Sequence, residues 1–588
     1  MRLSVLTALV ALLLTGCLFL DPPAPPSPQA ARPGAASDSA LHSITAANGI
    51  VVSGHPEASR VGLEVLQRGG NAVDAAVATA FALAVTLPKA GNVGGGGFMV
   101  VRLADGTATT LDFREVAPAA ATRDMYLDED GEADRDLSRT GHLSVGVPGA
   151  VAGLLAALER WGTQDRAAVL DPAIALAENG FRLTEKQTGH LNRYRDSFLD
   201  YPSTVKYFVP ADSGYYVPDE TFVQKDLAAV LRRIRDRGRD GFYRGETADL
   251  IVAEMERGNG LITHADLEAY EAVERAPIRG TYRGYSVISM PPPSSGGIAL
   301  VQLLNAVEPI DLGALGFHTT ASIHRIAEAE RRVYADRAQW LGDPDFVEMP
   351  VEGLLSKGYM QSRMADFDPR ATTPSAQVSY GTPNVPEESS QTTHLSVVDA
   401  EGNAVSLTTT INNWYGSKVV VDGAGFFLND EMDDFTAKPG APNSWGSVTN
   451  EQNAIEPRKR MLSSMTPTIV EDADGELFLV LGTPGGPKII TTVFQTLTNV
   501  LDFEMDLAEA VMAMRFHHQW DPDVLMVETE VDTWEGGGFS RPTLDSLQAL
   551  GWTLDPFGNT GAVSAIRVAG DSLVSTYDTR RDVVPAGY

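Results

Sequence analysis

The chain has 588 residues, of which 43% are hydrophobic and 21% charged, with a formal net charge of -31: globular composition, long enough for a large core. That charge repels nucleic-acid phosphates and anionic lipid headgroups, and no concentrated basic patch offsets it, so nucleic-acid binding is excluded as a function class. The single cysteine, Cys17, excludes disulfides, cysteine zinc sites and a cysteine nucleophile from the folded body.

At the N-terminus, Arg2 is followed by "LSVLTALVALLLTGC", too short for a comfortable membrane span and patterned as a secretory signal. Its last four residues, Leu14-Thr15-Gly16-Cys17, resemble the bacterial lipoprotein box. That resemblance implies removal of residues 1–16 and a diacylglycerol on the Cys17 thiol, with more than one acyl chain on the new terminus, as stable anchoring requires. Residues 17–40 are rich in Pro, Ala and Ser and read as an extended tether. The expected product is exported and membrane-anchored, on the periplasmic or extracellular face, with a globular body from Leu41. Leu18 supplies no inner-membrane retention signal of the Asp type.

Within the body, "GGNAVDAAVATAFALAVTLP" predicts a buried Ala-rich helix with Asn71 as N-cap, Asp74 three residues on and Pro88 closing it. Glycines 94 to 97 fail the G-x-G-x-x-G spacing of a phosphate cradle and read as a tight turn into two strands joined at Asp105-Gly106. Residues 149–161 and 319–341 have helical spacing. Residues 370–391, rich in Pro, Ser and Thr, read as a flexible linker. A strand-rich region follows from Thr392: a hairpin across Glu401-Gly402-Asn403, a second across Asp474-Gly475, and "AVSAIRVAGDSLVSTYD" near the C-terminus.

No H-E-x-x-H, G-x-x-x-x-G-K-[ST] or G-x-S-x-G pattern is present. His517-His518, the only adjacent histidine pair, lacks the helical carboxylate spacing of a metal site and reads as packing, so neither metal nor cofactor is expected. The remaining chemistry is a hydroxyl nucleophile in need of a base. A threonine exposed as a new amino terminus carries its own, since an α-amino group titrates at about 7.7 to 8.0. Cleavage of the Gln391–Thr392 bond creates such a group, although the chemistry alone does not choose Thr392 over Thr393.

Seven segments in order, "GGGGFMVV", "DFREVAP", "PPPSSGG", "TTHLSVVDAEGNAVSLTTTIN", "NDEMDDFTAKPG", "LSSMTPTIV" and "GTPGGPKII", resemble the γ-glutamyltransferases of the N-terminal-nucleophile hydrolase superfamily, over roughly residues 41–588. The resemblance implies an α+β fold, a four-layer αββα sandwich formed by two fragments of one precursor, a large subunit of 41–391 and a small one of 392–588 paired as a heterodimer. It implies Thr392 as both self-cleavage and catalytic nucleophile, Thr410 as its supporting hydroxyl, and Gly485 and Gly486 as oxyanion donors. Arg114, Ser463 and Ser464 are implied to bind the substrate's α-carboxylate, and Asn412, Glu431 and Asp434 its α-ammonium. Glu431 stands where some bacterial members have Gln, and Trp445 where a lid residue is often Tyr. The implied substrates are glutathione-like γ-glutamyl donors, with water, amino acids or peptides as acceptors.

Three other readings remain: a related glutaryl or cephalosporin acylase, a lipid-anchored binding protein that keeps the fold without catalysis, and a serine hydrolase using a Ser-His pair, for which no elbow is evident.

Overall fold

The computed structural model describes residues 43–212, 214–381, 392–438, 451–529 and 537–588. The expected signal peptide, tether, Cys17, Gln391 and Trp445 lie outside the described residues. Among those described, no helix is long and apolar enough to cross a membrane.

The segment opening at Thr392 alternates side chains between two faces, as any strand must, and here both faces are buried. Strands Thr393–Val398 and Ala404–Thr410 pair antiparallel, with Thr393 opposite Thr409, Leu395 opposite Leu407 and Val397 opposite Val405. This hairpin is the middle of a seven-stranded sheet, flanked by Ile50–Ser53 and Val584–Gly587 on one side and by Gly96–Arg102, Ala108–Asp112 and Val273–Arg275 on the other. Leu395, Val397, Val405 and Leu407 face a helical layer that includes the wholly buried helix Ala72–Thr86.

The opposite face, with Val398, Ala404, Val100 and Val52, packs on Ile288, Ile469, Val480 and Ile566 of a second sheet. That sheet runs in the order Ser43–Ala46, Ser572–Thr576, Ser564–Ala569, Leu477–Gly482, Thr468–Glu471, Tyr285–Ser289 and Ile278–Tyr282. Its outer residues, among them Val287, Val470, Leu479 and Leu481, meet helices Gly296–Val307, Thr320–Trp340 and Lys488–Leu501. The result is the expected α+β architecture of four layers, helix, sheet, sheet, helix.

Hydroxyls stitch the two sheets. Ser396 Oγ donates to the Ser564 carbonyl and Ser406 Oγ to that of Leu481, each at 3.0 Å. His394 lies between Thr408 Oγ1 at 2.8 Å and Ser396 Oγ at 3.1 Å, and burial pulls its pKa down to about 3. A neutral, enclosed imidazole among structural hydroxyls gives the serine-hydrolase reading no exposed pair.

The predicted helices appear at Ala72–Thr86, Ala150–Trp161 and Thr320–Trp340, the first with a reciprocal capping box between Asn71 and Asp74. Two expectations need correction. The four glycines are not primarily a turn: Gly96 and Gly97 already belong to a strand, and Cβ atoms at Gly94, Gly95, Gly96 and Gly97 would each fall within 2.5 Å of a carbonyl oxygen. They are there for close backbone approach. The linker is also shorter than composition indicates. Arg331 donates to Thr372 Oγ1 at 2.8 Å, Asp523 accepts from the Ser375 amide at 2.7 Å, and Asp336 accepts from that of Gly381 at 2.8 Å. Side chains from distant sequence thus fasten residues 372–381.

Gly95→Ala and Gly189→Ala should have opposite effects on the thermal unfolding midpoint. A Cβ at Gly95 would sit 2.0 Å from the Thr410 carbonyl oxygen, with no flexible side chain to yield, so a loss of about 1–3 kcal/mol or more is expected. Gly189, exposed in helix Glu185–Phe198 with nothing near its Cβ, should instead gain about 0.5–1 kcal/mol.

Candidate active site

Strand parity separates the two threonines. Thr393 has the parity of Leu395 and Val397 and faces the helices, whereas Thr392 shares the inter-sheet face with His394, Ser396 and Val398. Extending the hairpin register by one step sets Thr410 across from Thr392. Thr392 is 1% exposed, and its Oγ1 has no hydrogen-bond partner among the described residues. Thr410 Oγ1 accepts from the Asn412 amide at 2.7 Å.

Arg114 follows strand Ala108–Asp112 and is fully buried. Its guanidinium donates to Glu431 and Asp434, and to the carbonyls of Met461 at 3.2 Å and Leu462 at 3.0 Å. The expected carboxylate clamp and the expected ammonium carboxylates are thus in direct contact. Glu115 adds a third carboxyl, 3.7 Å from Arg114 and likewise inaccessible to solvent. Burial raises Glu115 to about 7 and pushes Glu431 well above the ordinary carboxyl range, with their mutual repulsion adding to the rise at Glu431. One guanidinium therefore faces three carboxyl groups. Glu431 Oε2, Asn412 Oδ1 and both Glu115 oxygens are buried acceptors without donors among the described residues, an arrangement that a cation with several N–H groups would complete.

Asn412 gives its Nδ2 to the Asp430 carbonyl at 2.9 Å. It opens a loop in which Asn412, Tyr415 and Lys418 all have positive φ, at 64°, 63° and 68°. Left-handed non-glycine residues cost roughly 1–3 kcal/mol each and persist where the surroundings over-determine them. Asp430 does so here, accepting from the Asn413 amide at 2.9 Å and from its Nδ2 at 2.6 Å; burial raises its pKa to about 7.

Ser463 and Ser464 are buried beside the "PPPSSGG" segment, through Ser295 N–H to the Ser463 carbonyl at 2.6 Å. Ser464 Oγ accepts from Arg337 Nη2 at 2.7 Å, and Arg337 also donates to Ser295 at 3.0 Å. Gly485 and Gly486 follow strand Leu477–Gly482 with φ of 148° and 64° and directly precede the helix Lys488–Leu501. Their N–H groups have no hydrogen-bond partner among the described residues, and a helix amino terminus favours negative charge.

Sequence reasoning missed Glu115, Arg337, Asn429 and Asn453. Asn429 bonds Gly94 and Gly146, and Asn453 bonds the Asp434 carbonyl and the Leu462 amide. Glu115, the residue after Arg114, and Asn429, the first residue of "NDEMDDFTAKPG", stood in quoted motifs, whereas Arg337 and Asn453 did not. His517 and His518 are buried against Thr491 and Asp523, and no group of potential metal ligands occurs among the described residues.

A family model described as gamma-glutamyltranspeptidase matches residues 58–588. A glutathione hydrolase proenzyme of Escherichia coli (strain K12) is 45% identical over 98% of each chain. One from Pseudomonas sp. (strain A14) is 49% identical over 82% of this chain and 84% of that relative. The crystal structure of a cephalosporin acylase from Bacillus halodurans superposes with a TM-score of 0.82 at 26% identity, over 97% of this chain and 99% of that one.

The raised pKa of Glu115 fixes a sign. Folded, it keeps its proton up to about pH 7, against an ordinary 4.5, so between those values the folded chain holds more protons than the unfolded one. Stability from this group is fully present below pH 4.5 and declines as pH rises toward 7, at up to about 1.4 kcal/mol per unit. Glu115→Gln should flatten that decline in unfolding midpoints measured from pH 5 to 8; an unchanged pH profile would contradict the assignment.

Proposed function

The chain belongs to the gamma-glutamyltranspeptidase family, and from that premise we propose that it is a glutathione hydrolase and γ-glutamyltransferase that frees its own nucleophile by cutting the Gln391–Thr392 bond. Residues 41–391 and 392–588 then form the large and small subunits of one sandwich.

The observation that carries this reading is the excess of carboxyl groups around Arg114. A γ-glutamyl group brings both an α-carboxylate and an α-ammonium. The ammonium would add a second positive charge beside Asn412 Oδ1 and beside Glu431 and Asp434, which now share Arg114, while Arg114, Ser463 and Ser464 serve the carboxylate. Each charge-assisted bond contributes about 1.5–3 kcal/mol. Thr392 Oγ attacks the γ-carbonyl carbon as its own α-amino group takes the hydroxyl proton, with Thr410 supporting the nucleophile. The oxyanion accepts from the Gly485 and Gly486 N–H groups, a contribution of about 10²- to 10³-fold per donor. The leaving amine takes the proton, and water or a second amine resolves the ester to Thr392.

A glutaryl acylase, as the likeness to a cephalosporin acylase invites, would bring no cation to three buried carboxyl groups, an unfavourable arrangement. Cleavage after residue 16 with lipidation of Cys17 would hold the protein on a membrane surface, and Trp445 would cover the site as a lid.

Intact mass and amino-terminal sequencing test the first step. The wild type should give two fragments, the smaller beginning at Thr392, and Thr392→Ala a single uncut, inactive chain; an uncut wild type would turn the reading to a binding protein. Turnover of a γ-glutamyl anilide should exceed that of the glutaryl anilide by about a hundredfold, for two lost charge-assisted bonds, and the reverse order would favour the acylase.

A further inference from the structure

A cavity of about 580 Å³ is lined by none of the residues assigned above to the reaction. Val116, Val147, Tyr270 and Val273 give it an apolar wall, and Asp266, Glu271, Arg458 and Arg460 supply its charges. The wall is built from the segments that hold Arg114. Tyr270 donates its hydroxyl to the Arg114 carbonyl at 2.7 Å. The Arg458 amide donates to the Ala117 carbonyl at 2.9 Å, and the Ala117 amide to that of Lys459 at 2.8 Å. Met461 and Leu462, next along the chain, accept from the Arg114 guanidinium. The cavity therefore shares its frame with the group expected to clamp the substrate carboxylate.

Two of the four charges are already committed. Asp266 accepts from the amides of Ala119 and Thr263, each at 2.9 Å, and from Thr263 Oγ1 at 2.6 Å. Arg460 lies 3.4 Å from Asp112 and 3.8 Å from Asp345 and gives Nη2 to the Glu271 carbonyl at 2.8 Å, although its buried Nε has no acceptor among the described residues. The other two are free, since the exposed side chains of Arg458 and Glu271 have neither hydrogen bond nor ion pair among the described residues. Arg458 also holds the third position of a turn closed by the Lys459 amide on the Glu456 carbonyl at 3.2 Å, with φ of 67°. Such a corner favours glycine, and a left-handed arginine there costs roughly 1–3 kcal/mol. The side chain that this strained corner places at the cavity is the one left without a partner.

A free cation and a free anion beside an apolar wall complement a zwitterion with an apolar body. We propose that the cavity is an effector site for a free aliphatic amino acid: its carboxylate meets Arg458 and the Arg460 Nε–H, its ammonium meets Glu271, and its side chain lies on Val116, Val147 and Val273. The inference goes beyond the function proposed above, because binding here requires neither self-cleavage nor turnover. An occupant acts on the segments that frame Arg114, so it changes the affinity of that clamp for a γ-glutamyl donor, and the coupling is reciprocal.

Isothermal titration calorimetry of the full-length protein, without donor, tests the site with L-leucine, leucinamide and N-acetylleucine. The wild type should bind leucine about tenfold more tightly than either derivative, as expected for the loss of one charge-assisted contact. Arg458→Gln should weaken leucine and N-acetylleucine and leave leucinamide unchanged, whereas Glu271→Gln should weaken leucine and leucinamide and leave N-acetylleucine unchanged. Both side chains are exposed and unpaired, so neither substitution removes a contact of the fold. No leucine binding to the wild type, or equal binding to both variants, overturns the site. Initial rates with γ-glutamyl-4-nitroanilide read the effector role. Leucine should shift the donor KM of the wild type by about fivefold, and Arg458→Gln should abolish the shift while γ-glutamyl-leucine still forms. A shift that survives Arg458→Gln belongs to the reaction site and overturns the effector role. If no nitroaniline is released at all, the proposed function fails, and the calorimetric result still decides the cavity.

Discussion

A slip of one residue in the central hairpin would turn Thr392 and Thr410 out of the inter-sheet face, and every contact described around them depends on that register. The register is over-determined. Leu395, Val397, Val405 and Leu407 must face the helices, while His394, Ser396, Ser406 and Thr408 must meet hydroxyl and carbonyl partners in the gap between sheets. A slip would place polar groups against Ala72–Thr86 and apolar ones opposite unsatisfied carbonyls. Gly95 and Gly97 add a steric lock, because their carbonyl neighbours at Thr410 and Thr408 leave no room for a side chain.

With the hairpin fixed, the electrostatics around Thr392 divide in two. On one side a single guanidinium is outnumbered by Glu115, Glu431 and Asp434, all inaccessible to water. On the other, Lys89 and Arg581 meet at Trp414, with Asp582 and Asp578 acting on them without a direct ion pair. Neither imbalance follows from the acidic composition of the chain, since both concern groups removed from bulk solvent, where a missing partner costs most.

The strained loop from Asn412 to Lys418 joins these regions, since Asn412 donates to the carbonyl of Asp430, next to Glu431, and the Trp414 ring meets the two cations. Its start, at left-handed Asn412 and the adjoining Asn413, is fixed by Asp430, in the same segment as Glu431 and Asp434. Strain, carboxyl cluster and aromatic platform thus share one support.

The sequence by itself determined the elements whose signals are local. The capped Ala-rich helix, the helices near 150–161 and 320–340 and the Asp-Gly hairpins follow from periodicity and turn chemistry, and the motif resemblance brought Thr392, Arg114 and the glycine pair into view together. Tertiary structure decided what depends on distant partners. It distinguished Thr392 from Thr393 by the face each strand position meets, and fastened residues 372–381 that composition read as linker. It also turned four glycines from a turn into a close backbone approach. Arg337 was illegible because in sequence it is an ordinary charged residue of a helix. Its meaning lies in which partners reach it through space, here the hydroxyls of Ser295 and Ser464, and no local pattern encodes that.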